Sequence, residues 1–234
     1  MTTLDDLIGK SEHQSPLSRL TSIPVFWVIL AAVVACVALT LLTDTFASQR
    51  NIFNVLRNFP FVAIIAIGMT VVIASGGIDL SVGSTLVLSA MVLSVMMSGG
   101  SSFALSAIVA LMAALAVGAF NGILIAYAGM PPFVVTLGTL SGARSLAMVL
   151  SDNKMIWEFG PDHDLLLWIG GGSTLGLPHP TYILIALCVL SALILKWSRW
   201  GQYVYAIGSN EQAATLNGIA VKRQKVTIYM FSAL

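Results

Sequence analysis

Between Leu80 and Ala143 the chain runs for 64 residues without an aspartate, glutamate, lysine or arginine. One helical crossing of a bilayer takes about 20 mostly apolar residues, so this stretch alone has room for up to three. Charge-free runs also cover Leu20–Thr43 (24 residues), Asn58–Ile78 (21) and Leu165–Leu195 (31). Of the 234 residues, 57% are hydrophobic and 9% charged, where a soluble domain carries about 25% charged residues. The polar groups that would cover a soluble surface are missing. Soluble enzyme, disordered chain and secreted disulfide scaffold are therefore excluded as readings of the whole. A net charge of +1 supplies no basic field for nucleic acid. Cys36 and Cys188 lie in apolar runs and read as small buried hydrophobes, with no disulfide framework and no metal site. The fold class that remains is all-α: a polytopic transmembrane bundle of about six to seven spans with discontinuous helices.

Six spans are expected: Pro24–Leu42, about Ile52–Ser75, Ser84–Met97, Phe103–Gly129, Pro131–Leu150 and Thr181–Leu195, with a seventh beginning near Val226. Pro24–Leu42 is too long for the apolar core of a signal peptide and reads as a retained first helix. Ahead of it, residues 1–23 form a polar tail. The loop Asp152–His179 carries four acids against one lysine, and Lys196–Lys225 carries five cations against Glu211. The positive-inside rule then puts the second loop in the cytoplasm and the first outside. Five crossings back, the amino terminus is cytoplasmic, in agreement with Lys10 and Arg19. Arg50 and Arg57 fall on the outer side, against the rule. Trp197 and Trp200 suit an aromatic belt at the inner boundary, and Arg144 is expected to snorkel near the outer one. The chain stops at Leu234 inside a new apolar run, which reads as a fragment or as missing carboxyl-terminal helices.

Ala110, Ala114, Gly118, Gly122 and Ala126 recur every fourth residue, along one helix face. Small residues let a neighbouring helix approach closely in lipid, so the stripe is a packing face or one that slides during gating. Asn121 beside it needs a polar partner or water. Thr136, Gly138, Thr139, Ser141 and Gly142 are polar and small for a span, and line either a water-filled path or a helix contact. Gly76-Gly77-Ile78-Asp79-Leu80-Ser81-Val82-Gly83-Ser84 interrupts two apolar runs. The glycines break a helix. An aspartate at a span centre costs about 2.5–3.5 kcal/mol, so Asp79 must face protein or water. Ser81 or Ser84 is expected to cap the next helix, and Asp79 suits its dipole. The motif is either a structural break or the lining of a path or gate. No Lys-Ser/Thr follows it, so it is not a phosphate loop. Past Tyr205, Ser209 and Gln212 have capping-box spacing and Gly218 suits a helix end, giving a helix over Asn210–Asn217. So short a helix needs support from its own bundle or from a partner. Ala213, Ala214 and Leu216 offer a shallow apolar surface suited to a groove on another protein.

Three motifs together carry a resemblance: residues 76–84, Pro-Pro-Phe-Val-Val-Thr-Leu-Gly-Thr at 131–139, and Tyr205-Ala-Ile-Gly-Ser-Asn-Glu-Gln-Ala-Ala with Asn-Gly-Ile ending at Ile219. In this order, from about Ile52 onward, the sequence resembles the membrane permeases of bacterial ABC importers of the ribose, xylose and autoinducer-2 type. The resemblance implies a multi-pass permease of the bacterial cytoplasmic (inner) membrane that imports a sugar or sugar-like solute. It implies a second permease copy, as homodimer or paralogue heterodimer. It also implies a periplasmic sugar-binding protein and a separate ATPase subunit with two nucleotide-binding halves. ATP-Mg belongs to that ATPase; this chain is expected to bind no cofactor and no metal and to hold no catalytic residue. Residues 24–234 are then one permease domain, with 152–180 a periplasmic loop and 196–225 a cytoplasmic coupling loop. The coupling helix would comprise Gly208, Ser209, Asn210, Glu211, Gln212, Ala213, Ala214, Leu216, Asn217 and Gly218. Candidates for the path or gate are Gly76, Gly77, Asp79, Ser81, Ser84, Asn121, Thr136 and Thr139. The competing reading is an ATP-independent channel or secondary transporter, which calls for paired broken helices with ion ligands.

Overall fold

The structure, a computed structural model, describes residues 21–234; all but the last three residues of the expected amino-terminal tail, with Lys10 and Arg19, lie outside it. The chain falls into two compact units, one ending at Asn54 and one spanning Val55–Leu234. In the first, α1 (Pro24–Leu42) starts on Pro24, where a missing N–H costs nothing. It is apolar all round and none of its residues is buried within the chain. Such a helix is at home in hydrocarbon.

The second unit takes up α2 (Gln49–Ala74) from Val55 and continues with α3 (Val82–Ser98), α4 (Phe103–Ala126) and α5 (Pro132–Leu150). A loop follows, with α6 (His163–Gly171) and a hairpin of β1 (Ser173–Thr174) and β2 (Leu177–Pro178). Last come α7 (His179–Trp197), α8 (Arg199–Ser209), α9 (Glu211–Leu216) and α10 (Val221–Ala233). Among the described residues, α1, α2, α4, α5 and α7 are long and apolar enough to cross a membrane, and α3 is a shorter apolar helix. The all-α polytopic class holds, and the first six spans fall within three residues of their expected ends. The last helix begins at Val221, ahead of the expected Val226. Its cationic first turns are held by packing: Val221 is buried against Ile207 and Ala214. Cys36 and Cys188 are exposed, not buried as expected. Their helices turn apolar faces outward, so an apolar residue in a span need not enter the protein core.

The stripe on α4 decides the packing. Ala110, Ala114, Gly118, Gly122 and Ala126 are all buried, and α10 packs directly on Gly118 and Gly122. A Cβ at Gly118 would sit 2.5 Å from the Tyr229 carbonyl oxygen, and one at Gly122 2.6 Å from the Val226 Cα. On its other side α10 meets α2, where a Cβ at Gly68 would lie 2.9 Å from the Ser232 carbonyl oxygen. Val71, Val72, Ile125, Val135, Val204, Ile228 and Tyr229, from five helices, close the core around it.

Two distant side chains repair backbone that the sequence leaves open. Pro60, buried inside α2, has no N–H for the carbonyl four residues back, at Leu56. The Thr181 hydroxyl, from the first turn of α7, donates to that carbonyl at 2.6 Å. Removing it with Thr181→Val strands a carbonyl, at an expected cost of about 1–3 kcal/mol. Thermal unfolding of the purified protein checks this; Thr181→Ser, which keeps the donor, should cost less. At the start of α4, the Phe103 N–H donates to the Asp162 carboxylate at 2.7 Å and Ser102 accepts from Leu105 N–H. A carboxylate there also suits the helix dipole.

Candidate functional site

Helix α2 closes with Gly76 in the left-handed region, φ +79. The Gly76 N–H donates to Ile73 O and the Gly77 N–H to Val72 O, both at 2.9 Å. This pair of bonds is the glycine-based helix stop, which needs φ above zero at Gly76. The chain then turns and restarts at Val82. In the turn, Asp79 Oδ1 accepts from the Ser81 N–H at 2.9 Å and from the Ser81 hydroxyl at 2.6 Å. Neither expected serine caps α3 with its side chain; the Ser84 hydroxyl donates back to Ser81 O instead. Asp79 serves the free amide because its carboxylate, two residues ahead, reaches Ser81 N without the φ/ψ that a serine cap needs.

The contacts continue outward from Asp79. Asn121 Nδ2 donates to the Ser81 hydroxyl oxygen at 2.9 Å, and the Thr139 hydroxyl donates to Asn121 Oδ1 at 2.5 Å. On the other side Ser232 Oγ stands 3.5 Å from Asp79 Oδ2, and the Tyr229 hydroxyl donates to Ile78 O at 3.0 Å. Asp79 is 2% exposed and Asn121 1%. A chain of polar contacts thus joins α10, the break, α4 and α5 inside the bundle, and a buried polar network of this kind fixes one arrangement when all its groups are paired. Gly77 and Ser84 also pack in this bundle, whereas Gly76, Ile78 and Gly83 of the break are exposed; Thr136 is wholly buried and gives its hydroxyl to Pro132 O. Thr139 differs. It also borders an apolar groove of about 710 Å³ between α4 and α5, with Phe120, Leu124, Val134, Gly138 and Leu146 along it. The structure therefore gathers Asp79, Ser81, Asn121 and Thr139, and only Thr139 of these reaches the groove.

On the side where α2 ends, α8 arrives. A Cβ at Gly208 would clash with the Ala74 carbonyl oxygen, so the end of α8 rests directly on the end of α2. Ser209 is the last residue of α8, and the cap of α9 moves one residue on from the expected place. Asn210 is extended (φ −159) and its side chain accepts from the Ala213 N–H at 2.9 Å. The expected Ser209 cap fails because α8, unforeseen in the basic-aromatic stretch, holds Ser209 in its last turn. Gly218 ends α9 with φ +81. Ala214 is 4% exposed, packed on Ile207 and Val221, so it roots α9 instead of presenting a surface. Lys225 Nζ lies 2.8 Å from both Glu211 carboxylate oxygens, a second root. What faces outward is Gln212, Ala213, Thr215, Asn217 and above all Leu216, 88% exposed. Among the described residues, no three His, Cys, Asp or Glu side chains gather to hold a metal ion.

Comparison with known proteins matches residues 51–234 to a family model described as the branched-chain amino acid transport system / permease component. The break, the groove and α9 all fall in that range. The chain is 36% identical to the ribose import permease protein of Haemophilus influenzae over 204 residues, 87% of this chain and 63% of that protein. It is 36% identical to the ribose import permease protein of Bacillus subtilis, over 88% of this chain and 63% of the relative. It is 35% identical to the galactofuranose transporter permease protein of Escherichia coli, over 81% of this chain and 54% of the relative. The chain thus spans under two thirds of the length of these relatives. No solved structure matches it. With a helical bundle, five described helices fit to cross a bilayer and a family match over most of its length, the chain belongs to the permease-component family of these transport systems and is a multi-pass membrane protein.

Proposed function

We propose that the chain is the membrane-spanning subunit of an ATP-binding-cassette importer that brings a sugar or sugar-like solute into the cytoplasm across the bacterial inner membrane, with its amino terminus inside. A separate ATPase subunit with two nucleotide-binding halves holds ATP-Mg, a periplasmic binding protein delivers the solute, and a second permease copy completes the pore. The ribose and galactofuranose names of the relatives support the solute class. The observation that carries the coupling role is α9. It is a six-residue helix rooted by Ala214 and Glu211 that turns an almost fully exposed leucine outward, in the loop with five cations. A leucine so exposed beside cationic groups suits a pocket on an acidic-rimmed partner.

The geometry gives the partner's movement a route. Displacement of α9 carries α8, whose Gly208 sits on the Ala74 carbonyl. It also pulls α10 through Lys225 and Val221. Both end at the break, one at its glycines and the other at Ile78 and Asp79. From there Asn121 and Thr139 connect to the groove. ATP enters by favouring one of two permease conformations, and it moves the equilibrium only as far as it binds them unequally.

The test is uptake of labelled ribose by proteoliposomes holding the full transporter, with and without ATP. Leu216→Asp is expected to lower ATPase attachment and uptake at least tenfold while leaving the thermal unfolding of the permease unchanged. Uphill uptake that persists without nucleotide sinks the ATP-driven reading and favours a channel or secondary transporter. Intact attachment in Leu216→Asp sinks the assignment of α9.

A further inference from the structure

Helix α6 and the hairpin after it hold exposed apolar side chains, Leu165, Leu167, Trp168 and Leu175, that no described residue covers. The charges of the loop all precede Leu165, and three of them are engaged: Asp152 pairs with Lys154 at 2.6 Å and Asp162 holds the start of α4. After His163 and Asp164, α6 reads Leu165-Leu166-Leu167-Trp168-Ile169, and Leu165, Leu167 and Trp168 are exposed. The hairpin pairs Ser173 with Pro178 and Thr174 with Leu177, leaving Leu175-Gly176 as a two-residue turn. Both turn residues are left-handed, φ +52 and +82. Such turns favour Asn-Gly, because a Cβ is disfavoured in that conformation. A leucine occupies the first place here, and it is 94% exposed. The backbone strain obtains no burial of Leu175 among the described residues, and strain kept at an exposed tip is the kind of outlier from which function is inferred.

The tip is also held in place. The His179 ring packs 4.2 Å from the Trp168 indole, centre to centre. Its Nδ1 lies 2.6 Å from the Trp168 carbonyl oxygen, which only accepts, so Nδ1 carries a proton. Its Nε2 meets the Thr174 hydroxyl at 2.7 Å, and the Tyr182 hydroxyl donates to the Thr174 carbonyl at 2.9 Å. His179 and Tyr182 belong to the first turn of α7. The hairpin is therefore fastened to the first turn of α7, a helix long and apolar enough to cross a membrane, and tryptophan and tyrosine rings favour the level between water and hydrocarbon.

We propose that residues 165–178 are an interfacial anchor, with α6 lying on the leaflet at which α7 begins and Leu175 dipping below the headgroups. The occupant is lipid for two reasons. The segment is free of charge, where a soluble partner would meet a polar rim. It is also continuous, through Tyr182, with an exposed apolar face of α7 that carries Ile185 and Val189. An apolar short helix with its aromatic at the boundary is the form such anchors take.

A nitroxide at Leu175→Cys, on a Cys36→Ala/Cys188→Ala background, tests this in the full chain reconstituted in phosphatidylethanolamine–phosphatidylglycerol liposomes. The removed cysteines are both exposed and would otherwise label. Power-saturation measurements are expected to show the label at 175 several-fold more open to oxygen than to a water-soluble nickel chelate, with the reverse order for a label at Asp164→Cys. Equal nickel access at the two sites overturns the proposal. So does a label at 175 hidden from both relaxants, which would mean that a protein sits on the tip. Labelling Ser173→Cys, on the same hairpin, guards against a local disturbance at 175 and should give an intermediate depth.

Discussion

Gly122→Ala is expected to destabilise the protein, although alanine is the better helix former by about 1 kcal/mol. The sign is decided by the approach of α10. The new Cβ would stand 2.6 Å from the Val226 Cα, a backbone atom that cannot rotate away. Helix α10 must withdraw, and with it Ile228 and Tyr229 leave the core, and Tyr229 and Ser232 leave the break. Overpacking of this kind costs about 1–3 kcal/mol or more. Gly138→Ala on α5, where nothing lies within 4 Å of the added carbon, is the control and should be neutral or stabilising within this chain. Thermal unfolding monitored by size-exclusion recovery compares the two. A Gly122→Ala protein as stable as the parent removes the close α4–α10 contact from the account.

Asp79→Ala is expected to be more damaging still, and Asp79→Asn much less so. The carboxylate is buried and accepts both the amide and the hydroxyl of Ser81 through one oxygen. Alanine strands the amide and frees the serine hydroxyl that orients Asn121. Each stranded buried group costs about 1–3 kcal/mol, and the loss spreads because Thr139 hangs on Asn121 in turn. Asparagine keeps an acceptor oxygen for Ser81 and turns its amide toward Ser232. The measurement is paired: yield of folded permease, and ribose uptake by the assembled transporter. Loss of folded yield in the alanine variant with uptake kept in the asparagine variant means that Asp79 holds the break. Normal folding of both with uptake lost in both means that its charge meets the solute, and the buried-hub account fails.

Much of this was legible residue by residue. Charge-free runs located the crossings, because hydrocarbon selects on local composition alone. The fourfold spacing of Ala110 to Ala126 marked a close-packed face without naming what packs there. The paired glycines and Asp79 marked the interruption between α2 and α3. The cap of α9 was misplaced by one residue because α8 competes for Ser209, and a capping pattern does not record which neighbour already owns the serine. Ala214 read as surface by composition and is core by contact with Ile207 and Val221. The basic-aromatic stretch from Lys196 read as a boundary and holds an eleven-residue amphipathic helix.

By itself the sequence determined that the chain is a helical membrane bundle, where its spans fall and where the chain breaks, since these depend on hydropathy and backbone preference over a few turns. Only the tertiary structure decided who completes whom. Thr181 serves the carbonyl left open by Pro60, Asp162 the start of α4, Asn121 the serine after Asp79, and Ser232 lies against Asp79 itself. These partners are between 40 and 153 residues apart in the chain. No local pattern encodes such pairs, because a buried polar group requires only that some partner arrive, and the packing of the helices settles which one does.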